Sequence, residues 1–260
     1  MTEPSTLASD RQLEARGIVL SYGDNVVLDT LSLTLDTTRL TGLIGPNGAG
    51  KSTLFSVLSG FMKSQAGEVV YHGRTLGRMP PEQRARLGLM RTFQVPREFR
   101  HLTVLENMLA APWDQPGESL ASLLFRRAGV RRSERDHTDQ ATEWLRFLRL
   151  DHVAATPAGQ LSGGQKKLLE LGRILMLKPR CVLLDEPYAG VNPVLIEQIS
   201  ERIRELHARG IGFVIVEHNL HALSRLVDRM LVLDGGRLLA EGTPDDVLAD
   251  PRVQAAYMGA

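Results

Sequence analysis

The chain has 260 residues, of which 43% are hydrophobic and 23% charged, and its formal net charge at pH 7 is +1. This length can build one large α/β core with an inserted subdomain, and the composition is that of a globular rather than a disordered protein. The near-neutral charge provides no global field to hold nucleic acid, so we expect no nucleic-acid partner.

Neither secretion nor membrane insertion is predicted. Met1–Asp10 has no basic region followed by an apolar core, so we expect no signal peptide. Cys181 is the single cysteine and lies in the apolar run Cys181–Leu184, which favours a packed core thiol and a reducing compartment. The apolar runs are far shorter than the ~20 residues of a membrane span, so membrane association would require a partner.

Residues 1–12 are polar and are predicted to be mobile. Leu13–Ser21 and Val26–Leu35 are predicted strands that form an antiparallel flap around a short turn. Tyr22 lies at this turn, where its ring could stack on a nucleotide base. An exposed turn tyrosine is the alternative.

A phosphate-binding loop is predicted next. Arg39–Ile44 has the pattern of a buried strand, and Ser52–Ser59 that of a helix. The segment between strand and helix fills every position of the pattern GxxxxGK[ST]: Gly45, Pro46, Asn47, Gly48, Ala49, Gly50, Lys51, Ser52 and Thr53. Its glycines allow successive N–H groups to turn inward around a polyphosphate. Lys51 supplies a charge for the β- and γ-phosphates and Ser52 a hydroxyl for Mg²⁺, while the helix directs its positive end at the anion.

Gln94 follows the predicted buried strand Leu89–Phe93. Ligands of open α/β sheets bind at the carboxyl ends of strands, so Gln94 could reach Mg²⁺ or an attacking water. A solvated loop glutamine is the alternative.

Helical patterns replace strand patterns over residues 95–160, which predicts an inserted helical subdomain. Thr103–Ala111 is a predicted helix with a capping box formed by Thr103 and Glu106. A basic run in this region is interpreted as a solvated helix end or loop rather than a phosphate or lipid-headgroup patch. The run consists of Arg126, Arg127, Arg131 and Arg132.

A helix running to about Leu177 is predicted to open at Leu161-Ser162-Gly163-Gly164-Gln165, with Ser162 as its cap. Two glycines in the first turn of a helix cost about 1 kcal/mol each relative to alanine, which suggests the close approach of another group. An anion at this N-terminus would make the segment a second phosphate-recognising element. Tight packing against a neighbouring side chain is the alternative.

Two adjacent carboxylates follow the apolar residues of Cys181–Pro187, which is a pattern typical of a central parallel strand. We expect Asp185 to face the Mg²⁺ shell and Glu186 to face the γ-phosphate, where water would attack. Strand Gly212–Val216 precedes His218, which could donate a hydrogen bond to the γ-phosphate or orient the water.

The remaining patterns predict a helix at Pro193–Arg209, a hairpin of Met230–Asp234 with Arg237–Ala240, and a helical tail at Pro244–Tyr257. Four regions are therefore predicted. They are a mobile segment at 1–12, a nucleotide-binding core with its flap at 13–94 and 161–240, the helical insertion at 95–160, and the tail at 241–260.

Taken in chain order, the motifs resemble those of the nucleotide-binding subunits of ABC (ATP-binding cassette) transporters. The matching elements are Tyr22, the Walker A loop Gly45–Thr53, the Q-loop residue Gln94, the signature Leu161–Gln165, Walker B at Val182–Glu186 and the switch residue His218. The resemblance implies an α/β fold, a P-loop NTPase (RecA-like) core with an antiparallel β flap and an inserted α-helical subdomain, which hydrolyses ATP with Mg²⁺.

Several segments are similar to the cassettes of branched-chain amino acid importers and their urea and amide relatives. These segments are 91–94 followed by Phe99, and 102–107, 189–193, 216–219 and 256–259. One departure from many ABC proteins is Asn192, which stands where they carry an aspartate and so removes that carboxylate.

The family resemblance implies that two cassettes, identical or paralogous, pair head to tail with each ATP between one Walker A loop and the other chain's signature. There Ser162, Gly163, Gly164 and Gln165 would grip the γ-phosphate. Two transmembrane permeases and, indirectly, a solute-binding protein complete such an importer, with the cassettes on the inner face of the membrane. The alternatives are another ABC system, such as a lipid or lipopolysaccharide exporter, or a non-transport ABC ATPase.

Overall fold

The computed structural model describes residues 11–92, 98–113 and 127–258. Their contacts divide the chain into two compact units. Unit one contains the described residues of Met1–Gln94, Arg180–Ala189 and Ile203–Ala260, and unit two those of Val95–Pro179 and Gly190–Arg202. The signature segment thus groups with unit two, whereas its sequence assigned it to the core. The domain boundaries themselves stay a prediction.

The predicted flap in unit one is a four-stranded antiparallel sheet of order β2-β1-β4-β5. Its strands are β1 (Gln12–Tyr22), β2 (Asn25–Asp36), β4 (Ala66–Tyr71) and β5 (Arg74–Thr75). Strand β1 includes Gln12, which we predicted to be mobile, and residues 1–10 lie outside the described residues. The pairing of β1 shifts register between Ala15 and Ile18, at Gly17, whose φ of 60° suits a bulge.

The second sheet of unit one has the order β10-β9-β3-β8-β7-β6. Its strands are β3 (Leu40–Ile44), β6 (Leu89–Arg91), β7 (Cys181–Asp185), β8 (Gly212–Val216), β9 (Arg229–Asp234) and β10 (Arg237–Gly242). All neighbours are parallel except the terminal hairpin of β9 and β10. Every residue of β3, β7 and β8 is buried, as expected for parallel strands covered on both faces. Burial raises the pKa of the Cys181 thiol to about 12, which agrees with a core role.

Helix α1 (Lys51–Leu58) shares one hydrophobic core with both sheets of unit one. Leu54, Phe55 and Leu58 are fully buried there among side chains of β1, β2, β3, β7, β8 and β9. The short helices of this unit are α2 (Pro81–Arg86), Leu220–Ser224, Pro244–Ala249 and Pro251–Met258. The predicted helical tail consists of two helices, because Asp250 leaves the helical conformation before Pro251, as residues before proline tend to do.

Unit two is helical. It contains α3 (Val104–Leu109), a long helix at Arg127–Phe147, short 3₁₀ turns at Asp151–Val153 and Ala158–Gln160, the signature helix Gly163–Leu175 and the start of helix Pro193–Ala208. The predicted capping box of Thr103 and Glu106 is confirmed. In the predicted basic run, Arg126 lies outside the described residues and Arg132 is exposed.

The carboxyl end of α1 is held by the buried guanidinium of Arg84. One terminal nitrogen of Arg84 donates to the carbonyls of Val57 and Leu58, both at 2.8 Å. Its other nitrogens donate to Met79 and Gly77. A cation at a helix C-terminus meets both the unpaired carbonyls and the negative end of the helix dipole. Burial lowers the Arg84 pKa, so this arrangement has an electrostatic cost that its hydrogen bonds offset.

We expect Arg84→Met to lower the free energy of unfolding by about 2–4 kcal/mol, because the carbonyls of Val57 and Leu58 would lose a charged donor within the interior. Urea denaturation followed by circular dichroism measures this change. Arg78→Met is the matched control, since Arg78 is exposed. Equal stability of the two variants would contradict the role assigned to Arg84.

Candidate functional site

The sheet of unit one brings three functional loops to one edge. Strands β3, β8 and β7 are adjacent and parallel, with Leu43 paired to Val216 and Val216 paired to Asp185. Their carboxyl ends are therefore level. The phosphate loop leaves β3 here, Glu186 follows β7, and His218 follows β8 after one residue.

The backbone of the phosphate loop requires its glycines. Gly45, Gly48 and Gly50 have φ angles of 152°, 81° and 96°. A β-carbon on Gly45 would also collide with the carbonyl of Leu233. Gly50 is the N-cap of α1, and no side chain among the described residues caps this helix. The N-terminal N–H groups of α1 are thus presented without a side-chain acceptor, which is the arrangement that binds phosphate.

Lys51 lies inside this loop. Its Nζ donates to the carbonyl oxygens of Gly45 at 2.7 Å and Pro46 at 2.9 Å, and the residue is only 7% exposed. Burial lowers the Lys51 pKa, whereas the charges of Glu186 and Asp185 oppose that effect. The carbonyl oxygens offer Lys51 only partial negative charge. An incoming phosphate would bring a full negative charge to the ammonium group.

The two carboxylate oxygens of Asp185 differ in their hydrogen bonds. Its Oδ2 accepts a hydrogen bond from Arg91 at 2.7 Å, and Arg91 also donates to Ser56 of α1 at 2.8 Å. Its Oδ1 is buried and accepts no hydrogen bond from the described residues. A buried carboxylate oxygen without a donor is costly unless a cation or water binds it, so the donor set fits a hard divalent cation such as Mg²⁺.

Glu186 and His218 contact each other. Glu186 Oε1 lies 3.0 Å from His218 Nε2, and the side chains are 16% and 49% exposed. Glu186 adopts a φ of 51°, which is rare for a residue with a β-carbon, and its N–H donates to Val216 at 2.9 Å. The bent backbone directs the Glu186 carboxylate towards the loop after β8.

Glu217 was not predicted as a functional residue, yet its buried carboxylate lies between these loops. Oε1 accepts the N–H of Tyr188 at 2.6 Å, and Oε2 accepts the N–H of His218 at 3.1 Å. Burial raises the Glu217 pKa, and the charge of Glu186 adds to this effect, while the backbone donors oppose it.

Tyr257 is a second residue that sequence reasoning missed. Its hydroxyl accepts the N–H of Gly45 at 2.8 Å, which connects helix Pro251–Met258 to the first residue of the phosphate loop. Burial raises the Tyr257 pKa, so the hydroxyl stays neutral at physiological pH. Gly45 is therefore held at its N–H by the tail and at its carbonyl by Lys51.

The signature segment lies in unit two. Ser162 and Gln165 form a capping box, with Gln165 N–H donating to Ser162 Oγ at 3.3 Å and Ser162 N–H donating to Gln165 Oε1 at 3.0 Å. A β-carbon on Gly164 would collide with Leu195, whereas one on Gly163 would meet no described atom within 4 Å. Tight packing thus accounts for Gly164, and Gly163 leaves the start of the helix open.

The remaining predicted residues are placed as follows. Tyr22 is 53% exposed at the end of β1, and its hydroxyl contacts Met62, so its ring is free on the surface for stacking. Ser52 is exposed in the first turn of α1. Gln94 lies outside the described residues. A role for each of these side chains stays a prediction.

Two family models match this chain. One, described as ABC transporter, matches residues 28–189, and one described as branched-chain amino acid ATP-binding cassette transporter matches residues 237–260. The chain belongs to the ABC transporter ATP-binding family. It is thus an ATP-hydrolysing subunit of the kind that works with membrane permeases. The helices that the structure describes are all too short or too polar to span a membrane.

Known cassettes match this one over nearly their full length. The probable branched-chain amino acid transport ATP-binding protein LivG of Methanocaldococcus jannaschii is 39% identical over 95% of this chain and 97% of its own. The high-affinity LivG of Salmonella typhimurium is 36% identical over the same shares. A crystal structure of a nucleotide-free ATP-binding cassette superposes with a TM-score of 0.83 at 38% identity, covering 96% of this chain and 100% of that one. The predicted P-loop NTPase fold is confirmed.

The bond between Tyr257 and Gly45 should contribute to nucleotide affinity. We expect Tyr257→Phe to raise the Kd for nucleotide on the order of fivefold, because the Gly45 N–H would lose its acceptor and the loop its tether. Isothermal titration calorimetry measures this change. Met258→Ala is the control on the same helix, where Met258 is exposed. An unchanged Kd in Tyr257→Phe would show that the loop keeps its geometry without the tail.

Proposed function

We propose that this cassette powers the uptake of branched-chain amino acids or related small amino compounds. The match of residues 237–260 to the branched-chain cassette model carries this proposal, because that segment lies beyond the 28–189 match to the general family model. The names of the full-length relatives in archaea and bacteria support it. A lipid or lipopolysaccharide exporter is the competing function, and no relative given above carries such a name.

The proposed assembly contains two cassettes, two transmembrane permeases and, outside the membrane, a solute-binding protein. The second cassette is another copy of this chain or a paralogue, and the pair lies on the cytoplasmic face of the membrane. The exposed start of the signature helix supports head-to-tail pairing, because Ser162 and Gly163 offer a hydroxyl and N–H groups to a phosphate from another chain. ATP would then join two cassettes, and ADP would not.

The proposed ligands are ATP and Mg²⁺. Ser52 and Asp185, with Gln94, would hold the ion, and the unpaired Oδ1 of Asp185 supports this assignment. When bound, Mg²⁺ would neutralise charge on the β- and γ-phosphate oxygens. The loop from Gly45 to Thr53 would enclose the phosphates, and Tyr22 would stack on the base.

Glu186 is the proposed base that positions and deprotonates the attacking water. Its carboxylate lies at the edge of the sheet where the phosphate loop also begins, and His218 contacts it at 3.0 Å. His218 would hold Glu186 in place before the nucleotide arrives and then contact the γ-phosphate. Lys51 would leave its loop carbonyls to stabilise the negative charge of the transition state.

We expect Glu186→Gln to bind ATP but to hydrolyse it about 10²–10⁴ times more slowly, because an amide cannot accept the proton of water. The variant should then accumulate as an ATP-bound dimer, which size-exclusion chromatography with light scattering detects. Glu134→Gln is the control, since Glu134 is exposed in the long helix of unit two. Normal turnover by Glu186→Gln would remove Glu186 from the role of base.

The cargo is tested by purifying the tagged chain from membranes of its source cell in mild detergent and identifying its partners by mass spectrometry. We expect two polytopic permeases, a second cassette and a solute-binding protein. That binding protein is then titrated with leucine, isoleucine, valine and urea. Recovery of lipid-exporter subunits, or of ribosomal or DNA-bound partners without a permease, would overturn the importer assignment.

A further inference from the structure

We propose that Glu217 is a positioning residue that sets the distance between Glu186 and His218. The inference rests on the proposed function, which gives those two side chains their catalytic roles. Within the described part of the chain, Glu217 makes no hydrogen bond to either of their side chains, and it acts through the backbone of the two loops that carry them.

Each oxygen of the Glu217 carboxylate binds a different loop. Oε1 accepts the N–H of Tyr188, two residues after Glu186, and Oε2 accepts the N–H of His218. Asn219 N–H approaches the same Oε2 more weakly, at 3.4 Å. One rigid planar group therefore joins the end of β7 to the end of β8, beyond the last pair of the sheet, Asp185 with Val216.

The conformation of Glu186 explains why such a restraint is needed. A left-handed φ costs a residue with a β-carbon of order 1–3 kcal/mol, so the surroundings must impose it. The N–H of Glu186 donates to Val216, which fixes the loop on one side of the residue. The bond from Tyr188 to Glu217 fixes it on the other side. Together they direct the Glu186 carboxylate at His218.

Stability alone does not account for a carboxylate at position 217. The residue is 4% exposed, and within the described part of the chain its hydrogen-bond donors are all backbone N–H groups. Burying it beside the charge of Glu186 is unfavourable, as the raised pKa of Glu217 reflects. In this position the carboxylate accepts hydrogen bonds from two separate loops. A smaller or neutral side chain cannot accept both bonds in the same geometry.

The test is Glu217→Gln in the full chain. The amide keeps the size of the side chain but places an NH₂ against one N–H donor, so one loop is released. We expect kcat for ATP to fall about 10- to 100-fold while KM stays within about twofold, because the phosphate loop is untouched. Glu217→Asp keeps the charge, but its side chain is too short to reach both loops, so we expect the same loss of kcat. This variant provides the test if Glu217→Gln does not fold.

Asn219→Ala is the matched control from the same segment. Its side chain caps helix Leu220–Ser224 by accepting the N–H of Ala222 at 3.0 Å, which is a purely structural bond. We expect this variant to lose thermal stability but to keep its kcat. A kcat near the wild-type value in folded Glu217→Gln and Glu217→Asp would overturn the proposal.

A double variant separates this proposal from the assignment of Glu186. If Glu217 acts through Glu186, combining Glu186→Gln with Glu217→Gln should be no slower than Glu186→Gln alone. Multiplicative losses would overturn the positioning role while leaving Glu186 as the base. Normal turnover in Glu186→Gln alone would instead refute the proposed catalytic assignment, whatever Glu217 does.

Discussion

The common edge at which β3, β8 and β7 end fixes where the chemistry of unit one can take place. The parallel register places Leu43, Val216 and Asp185 side by side, so the loops that follow them must start together. Burial of all three strands prevents slippage, because a shift by one residue would turn Asp185 towards the opposite face of the sheet. The phosphate loop can therefore be strained and glycine-rich without losing its position.

Three carboxylates lie at this edge, and each is compensated by a different kind of partner. Arg91 pairs with Asp185, His218 contacts Glu186, and peptide N–H groups surround Glu217. Asp185 still keeps one oxygen that accepts no hydrogen bond from any residue that the structure describes. The site thus reduces repulsion among its acids while leaving a ligand atom available.

Much of the candidate site could be predicted, because short local sequence patterns indicate where its residues lie. A buried strand followed by a polar residue located Asp185, Glu186 and His218, and the phosphate loop was recognised from nine consecutive positions. What could not be predicted depends on pairing between distant segments. Tyr257 binds a residue 212 positions away, and nothing in the composition of the tail indicates that contact. Arg91 did leave a signal, since a charged residue in an otherwise apolar strand needs a buried partner.

The sequence analysis treated the two glycines of the signature helix together, with an anion or tight packing as alternatives, yet the two glycines have different surroundings. Among the described atoms Gly163 has open space around it, whereas Gly164 has no room for a β-carbon because Leu195 packs against its backbone. The requirement for glycine at position 164 therefore depends on which side chain occupies position 195. Among relatives of this cassette, positions 164 and 195 should vary together during evolution. Alanine at position 164 should be tolerated only where position 195 carries a side chain shorter than leucine.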